Sequence, residues 1–180
     1  QRTLKVYLIK GLFGALFHWV NIFMITQATV QLPEDIILKV YELKNKTPNS
    51  SLRSNVNGWQ STQYTSLKHT GWAEPLMEQC LELLNLSHLS ILHLWFNINP
   101  TGAYHNWHFH GGSEQVGVCY LQVPSNSGNI EFKKDEIIKS IQPYTGLLLG
   151  FPGGLDHRVL ENKSADDRIT MAFNLKKSKG

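Results

Sequence analysis

From Ser90 onward the chain is written in short apolar runs separated by Pro and Gly: SILHLWFNI, HNWHFH, EQVGVCYLQV, GNIEFKK, IIKSIQP, GLLLGF, HRVL and DRITMAFNL. Runs of this length and spacing predict the strands of a two-sheet jelly roll or barrel. The last run alternates cleanly. Arg168, Thr170, Ala172 and Asn174 fall on one face and Ile169, Met171, Phe173 and Leu175 on the other, because successive strand side chains point to opposite sides. The run at Leu92 to Asn99 does likewise, with Leu92, Leu94, Phe96 and Ile98 opposed to His93, Trp95, Asn97 and Asn99. An apolar face packs under helices, and a face of Arg, Thr and Asn lines a polar pocket.

Before Ser90 the period changes. Leu32-Pro33-Glu34-Asp35-Ile36 puts proline and acids where a helix starts, and Ile36, Ile37, Val40, Tyr41 and Leu43 carry its apolar stripe to about Lys44. A second amphipathic helix is expected over Ala73 to Leu86. Between them, residues 45 to 72 are rich in Asn, Ser, Thr and Gly, have no period, and contain Trp59 and Trp72. Long loops of this kind inside a compact domain are often functional. The expected architecture is mostly β with N-terminal helices on one outer face. One domain should cover 1–180, with an N-terminal strand, helices and loop over 1–89 and the strand core over 90–177. Residues 6 to 26, VYLIKGLFGALFHWVNIFMIT, are largely apolar, but Lys10, His18 and Asn21 interrupt them and no small-residue cleavage pattern follows. Ala15 to Ile22 is therefore read as a core strand, with a targeting segment as the alternative and no membrane expected.

Composition narrows the function classes. With 180 residues, 17% charged and a net charge of +3, the chain lacks the Lys/Arg density of a nucleic-acid binder, so no nucleic acid is expected. Lys176, Lys177 and Lys179 read as a solvated tail. Cys80 and Cys119 form no CxxC pair and no disulfide framework, which favours a reducing, cytoplasmic compartment.

The histidines carry the chemistry. In HNWHFHGG (105 to 112), strand parity puts His108 and His110 on one side and sends His105 to the other. Two imidazoles at i, i+2 can converge on one cation if a distant strand brings a third ligand. His157, beyond the buried run and turn of GLLLGFPGGLD, is the natural partner. His18, His69, His88, His93 and His105 are read as ordinary hydrogen-bonded histidines. Trp59, in SNVNGWQSTQY, is either a substrate wall or a packing anchor.

RSNVNGWQS (53 to 61), HFHGGSEQVGVCYL (108 to 121), GLLLGFPGGLDHRV (146 to 159) and DRITMAFN (167 to 174), in that order, resemble the iron(II)- and 2-oxoglutarate-dependent oxygenases. Within them the chain is similar to small prolyl-hydroxylase-like oxygenases of phages and marine bacteria. The resemblance implies a double-stranded β-helix, Fe(II) held by His108, His110 and His157, and 2-oxoglutarate whose far carboxylate meets Arg168. Thr170, on the same face, would add a hydroxyl bond to the guanidinium's bidentate grip. Asn97 and Tyr120 would flank the nearer end of the cosubstrate. The implied reaction uses O2 to hydroxylate a C–H bond of a peptidyl or small-molecule substrate, in the cytoplasm of a bacterial or phage-infected cell. Two positions depart from the pattern: His110 stands where most members carry Asp or Glu, and Gly111 where the small relatives carry Pro. Either an all-histidine site operates, or Glu114 or Asp156 enters the sphere.

The competing reading is a cupin, the same fold without 2-oxoglutarate. Gly102, His108, His110, Glu114, Gly146, Pro152, Gly154 and His157 follow its spacing and would make Glu114 a fourth ligand, whereas Leu121 and Glu161 break it. A non-catalytic jelly-roll binding module is the third reading.

Overall fold

The computed structural model describes residues 23–51, 53–66 and 70–178. The core strand expected at 15 to 22 lies outside the described residues. Among the described residues, eleven strands fall into two antiparallel sheets. The short N-terminal elements are β1 (Thr26–Thr29), β2 (Asn55–Val56) and β3 (Trp59–Gln60). The eight apolar runs then become β4 (Leu89–Asn99), β5 (Tyr104–His108), β6 (Gln115–Gln122), β7 (Ile130–Lys134), β8 (Ile137–Ile141), β9 (Leu147–Pro152), β10 (Asp156–Val159) and β11 (Arg168–Lys177). The larger sheet has the order β1-β9-β6-β11-β4-β3 and the smaller β2-β5-β10-β7-β8. Face to face, they form the expected jelly roll.

The expected helices form, each shorter than its periodicity. Helix α1 runs Ile36–Lys46 with Lys44 and Lys46 in its last turn, where cations offset the negative helix end. Helix α2 runs Glu74–Leu83 with Pro75 in its first turn, where a missing N–H costs nothing, and a single 3-10 turn at Gly71–Ala73 leads into it. The region read as one loop between the helices in fact contributes β2 and β3, one strand to each sheet.

Alternation along the larger sheet builds two cores. The outer cluster joins Ile36 and Val40 of α1 and Leu76, Met77 and Cys80 of α2 to Leu94, Phe96, Ile98, Ile169, Met171, Phe173 and Leu175. The inner cluster, between the sheets, joins Val116, Tyr120, Leu147, Leu149 and Phe151 to Ile130 and Phe132 of the smaller sheet. Each such side chain contributes about 1.5–3 kcal/mol when buried. The central strand β11 is thereby covered on both faces, and the polar residues of its inner face must meet partners or a cavity. A bulge at the far end of the β4–β11 ladder shifts the register between Asn174 and Leu175, which pair with His93 and Ile91. Leu92 is skipped and turns toward the cavity, so its expected place with Leu94 on the apolar face is corrected.

Candidate metal centre

The three histidines assigned to a metal do converge: one ring nitrogen from each of His108, His110 and His157 lies within 4.8 Å of the others. Backbone pairing sets two of them opposite each other, His157 on β10 facing His108 on β5. His110 follows β5 in a turn fixed by its own N–H donating to the Gly153 carbonyl at 2.8 Å. That turn needs glycine at 153, because a Cβ there would sit 2.2 Å from the Ser113 carbonyl oxygen and 3.0 Å from that of His110. The pairing of GLLLGFPGG with HFHGG in the sequence is thus a backbone contact that seats a ligand.

Hydrogen bonds orient the rings. His157 Nδ1 lies 2.9 Å from the Leu155 carbonyl and His108 Nδ1 lies 2.7 Å from the Asn106 carbonyl. A carbonyl only accepts, so both Nδ1 atoms carry the proton and both Nε2 lone pairs face the site. Burial pushes His157 down to about 3 and His110 to about 4, with neighbouring imidazoles adding to the effect. Burial also lowers His108. Near neutral pH the site offers three uncharged imidazoles, the protonation state in which they bind cations.

His105 requires a correction. Between the rungs His157–His108 and Val159–His105, β5 advances three residues while β10 advances two. This bulge reverses the parity that would have sent His105 away. The ring instead lies 6.3 Å from that of His108, buried, with burial and then Arg168 holding its pKa down to about 3. Its Nε2 approaches Asn99 Oδ1 at 3.4 Å. Ser54 Oγ stands between the two rings, 3.3 Å from His105 Nδ1 and 3.2 Å from His108 Nε2. No sequence period announces Ser54, because only the β2–β5 pairing brings it here.

The triad opens onto a cavity of about 710 Å³, large enough for a cosubstrate and a small substrate side by side. Arg168, Thr170, Tyr120 and Asn97 all line it, as expected from the polar faces of β4 and β11. Arg168 is 1% exposed. Its Nη1 donates to the Ser127 carbonyl and, at 3.1 Å, to that of Leu160. Its Nη2 is buried with no partner among the described residues. The alternative of a surface ion pair with Asp166 or Asp167 does not hold, since Asp167 instead accepts from Tyr41 at 2.7 Å. Nearby, Asn97 donates to Thr170 Oγ1 at 3.1 Å, while Asn97 Oδ1 and Asn99 Nδ2 also lack partners. A buried guanidinium with a free donor, beside further unpaired polar atoms, is suited to a carboxylate entering from the cavity.

Two expectations fail on geometry. Trp59 is 5% exposed in the outer core and donates from Nε1 to the Thr47 carbonyl at 2.9 Å, which makes it a packing anchor and not a substrate wall. Its neighbour Gln60, opposite Asn97 on β4, faces the cavity together with Ser54 and Gln63 of the same loop. Glu114 turns outward to Lys177 at 3.6 Å, and exposed Asp156 alternates away from His157. Among the described residues no carboxylate joins the triad. The fourth ligand that the cupin reading needs is therefore not in place.

No family model and no curated protein matches the sequence. Solved structures do resemble the fold. A prolyl hydroxylase from Trichoplax adhaerens, in complex with a hypoxia inducible factor oxygen degradation domain peptide, aligns with a TM-score of 0.66 at 14% identity over 97% of this chain and 93% of its own. A prolyl-4-hydroxylase from Pseudomonas putida aligns at 0.60 and 16% identity, covering 87% and 94%. A viral collagen prolyl hydroxylase from Paramecium Bursaria Chlorella virus-1, in a 2OG complex, aligns at 0.61 and 16% identity, covering 86% and 96%. The chain shares the fold of these enzymes across nearly all of their length.

Proposed function

We propose that the chain is an Fe(II)- and 2-oxoglutarate-dependent oxygenase that uses O2 to hydroxylate a C–H bond of a peptidyl or small-molecule substrate, releasing succinate and CO2. The observation that carries this reading is the convergence of three neutral imidazoles on a cavity whose wall holds a buried arginine with an unpaired donor. The shared fold of 2-oxoglutarate-dependent enzymes supports it.

In this reading His108, His110 and His157 hold the iron, which with the cosubstrate supplies the oxidation when bound. The rest is the chain's own work. Arg168 Nη2 grips the far carboxylate, Thr170 adds its hydroxyl, and Asn97 and Tyr120 flank the nearer end. Burial raises the Tyr120 phenol well above its ordinary value, so it stays a neutral donor. The apolar inner cluster keeps water from that end of the cavity.

Anaerobic reconstitution with Fe(II) followed by 2-oxoglutarate tests the reading. A visible charge-transfer band from bidentate chelation is expected. Arg168→Ala should lose the band yet keep iron, and His157→Ala should lose iron. Tight iron binding with no band in the wild type would overturn it.

A further inference from the structure

We propose that the cavity has a second binding pole, remote from Arg168, that takes an anionic group of the substrate, a carboxylate or a phosphate. Naming the bound molecule as substrate rests on the oxygenase reading; the anion pole itself does not.

The inner face of β11 carries Arg168 at one end and Asn174 at the other, roughly 20 Å apart at strand rise. Between them the His110 ring lies 5.6 Å from Trp95, which pairs with Ala172 midway along the strand. The metal centre therefore has polar groups on both sides. Those beyond it remain unused by the proposed cosubstrate. Asn174 is 5% exposed, lines the cavity, and its Oδ1 has no partner among the described residues. Ser113 Oγ, also buried on the cavity wall, has none either. Native structures rarely leave such groups unpaired, and on a cavity wall they meet water or a ligand.

The charge of this pole selects the ligand. Among the described residues no Asp or Glu lines the cavity. Arg53 lines the cavity and is exposed, without an ion pair among the described residues, and after burial, the main cause, Arg53 and Lys176 add to the lowering of His93. Glu114, next to Ser113 in sequence, is exposed and turns outward, 3.6 Å from Lys177. All-histidine ligation adds to this excess. A divalent ion and a dicarboxylate cancel, three imidazoles contribute nothing, and Arg168 and Arg53 outnumber Asp156, the exposed acid beside His157. An anionic substrate offsets that surplus, whereas an ammonium-bearing one meets only like charge. The Ser113 hydroxyl can donate to such an anion, whereas Asn174 Oδ1 only accepts and calls for a hydroxyl or N–H elsewhere on the same ligand.

Nuclear magnetic resonance of the zinc-loaded, nitrogen-15-labelled protein tests the proposal, with 2-oxoglutarate added to saturation and then inorganic phosphate or acetate titrated. Saturable shifts at the Asn174 side-chain amide and at Arg53 Nε are expected, with affinity at least tenfold weaker in Arg53→Gln. The stronger of the two probes identifies phosphate or carboxylate as the preferred group. No saturable shift with either probe in the presence of 2-oxoglutarate, or unchanged affinity in Arg53→Gln, would overturn the anion pole. Failure of 2-oxoglutarate itself to shift Arg168 Nε counts against the oxygenase reading alone, since the anion titrations remain readable.

Discussion

His108 and His157 face each other across the β5–β10 ladder with ring centroids 4.2 Å apart, each with Nδ1 tied to a backbone carbonyl two residues before it. The ligand geometry is thus imposed by the ladder before any cation arrives. Because the pair joins strands distant in sequence, a bound cation also cross-links the smaller sheet. Metal at 100 times its dissociation constant should stabilise the fold by about 2.7 kcal/mol. Thermal unfolding with and without chelator should show a several-degree difference in wild type and none in His157→Ala.

Arg168→Lys keeps the charge but not the planar fork that sends Nη1 to two carbonyls while leaving Nη2 free. Losing one charge-assisted bond costs about 1.5–3 kcal/mol, so 2-oxoglutarate affinity should fall roughly ten- to hundredfold. Isothermal titration should show this fall with metal affinity unchanged. Equal loss of both would mean that the substitution disturbs the fold.

Trp59 and Gln60 are neighbours with opposite roles. Trp59→Phe removes the bond to the Thr47 carbonyl and should cost about 1 kcal/mol of stability, read from urea unfolding, with cosubstrate affinity unchanged. Gln60→Ala, on the cavity face, should alter substrate handling more than stability. The opposite pattern would restore Trp59 as a substrate wall.

Gly153→Ala forces a Cβ into the Ser113 carbonyl and must open the turn that seats His110. A one-ångström displacement of a ligand should weaken metal binding severalfold or more, along with a loss of stability of about 1–3 kcal/mol. Competition with a chromogenic chelator measures the first effect. Wild-type affinity would show that the turn yields elsewhere.

Burial holds His105 and His157 at about 3 and His110 at about 4, below the ordinary 6.5. The unfolded chain therefore binds more protons once the pH drops below about 6.5, and the metal-free protein loses stability from there until the pH passes the folded values. Each proton contributes a slope of about 1.4 kcal/mol per pH unit. The urea midpoint should fall between pH 7.5 and 5.5, less steeply in His105→Asn. A flat profile would mean that these imidazoles are not held neutral by burial.

The alternation of Arg168 to Leu175 was enough to place an apolar face under the helices and a polar one on a cavity, because strand geometry fixes a period of two. The HxH spacing with a distant His157 pointed to the right three ligands, although His110 lies past the end of β5 and is seated by its bond to Gly153, and the eight strand runs were legible from their length and their Pro and Gly breaks. Tertiary structure alone decided where that period breaks. A bulge in β5 returned His105 to the cavity and a second in β4 turned Leu92 inward, and no residue type marks either. The pairing of β3 with β4 set Trp59 outward and Gln60 inward, and the backbone bonds of Glu114 to Leu175 and Gly153 fixed it where its side chain turns outward to solvent. A local period constrains neighbours along the chain; which strand lies opposite, and whether it advances by two residues or three, is settled only by packing the sheets against each other.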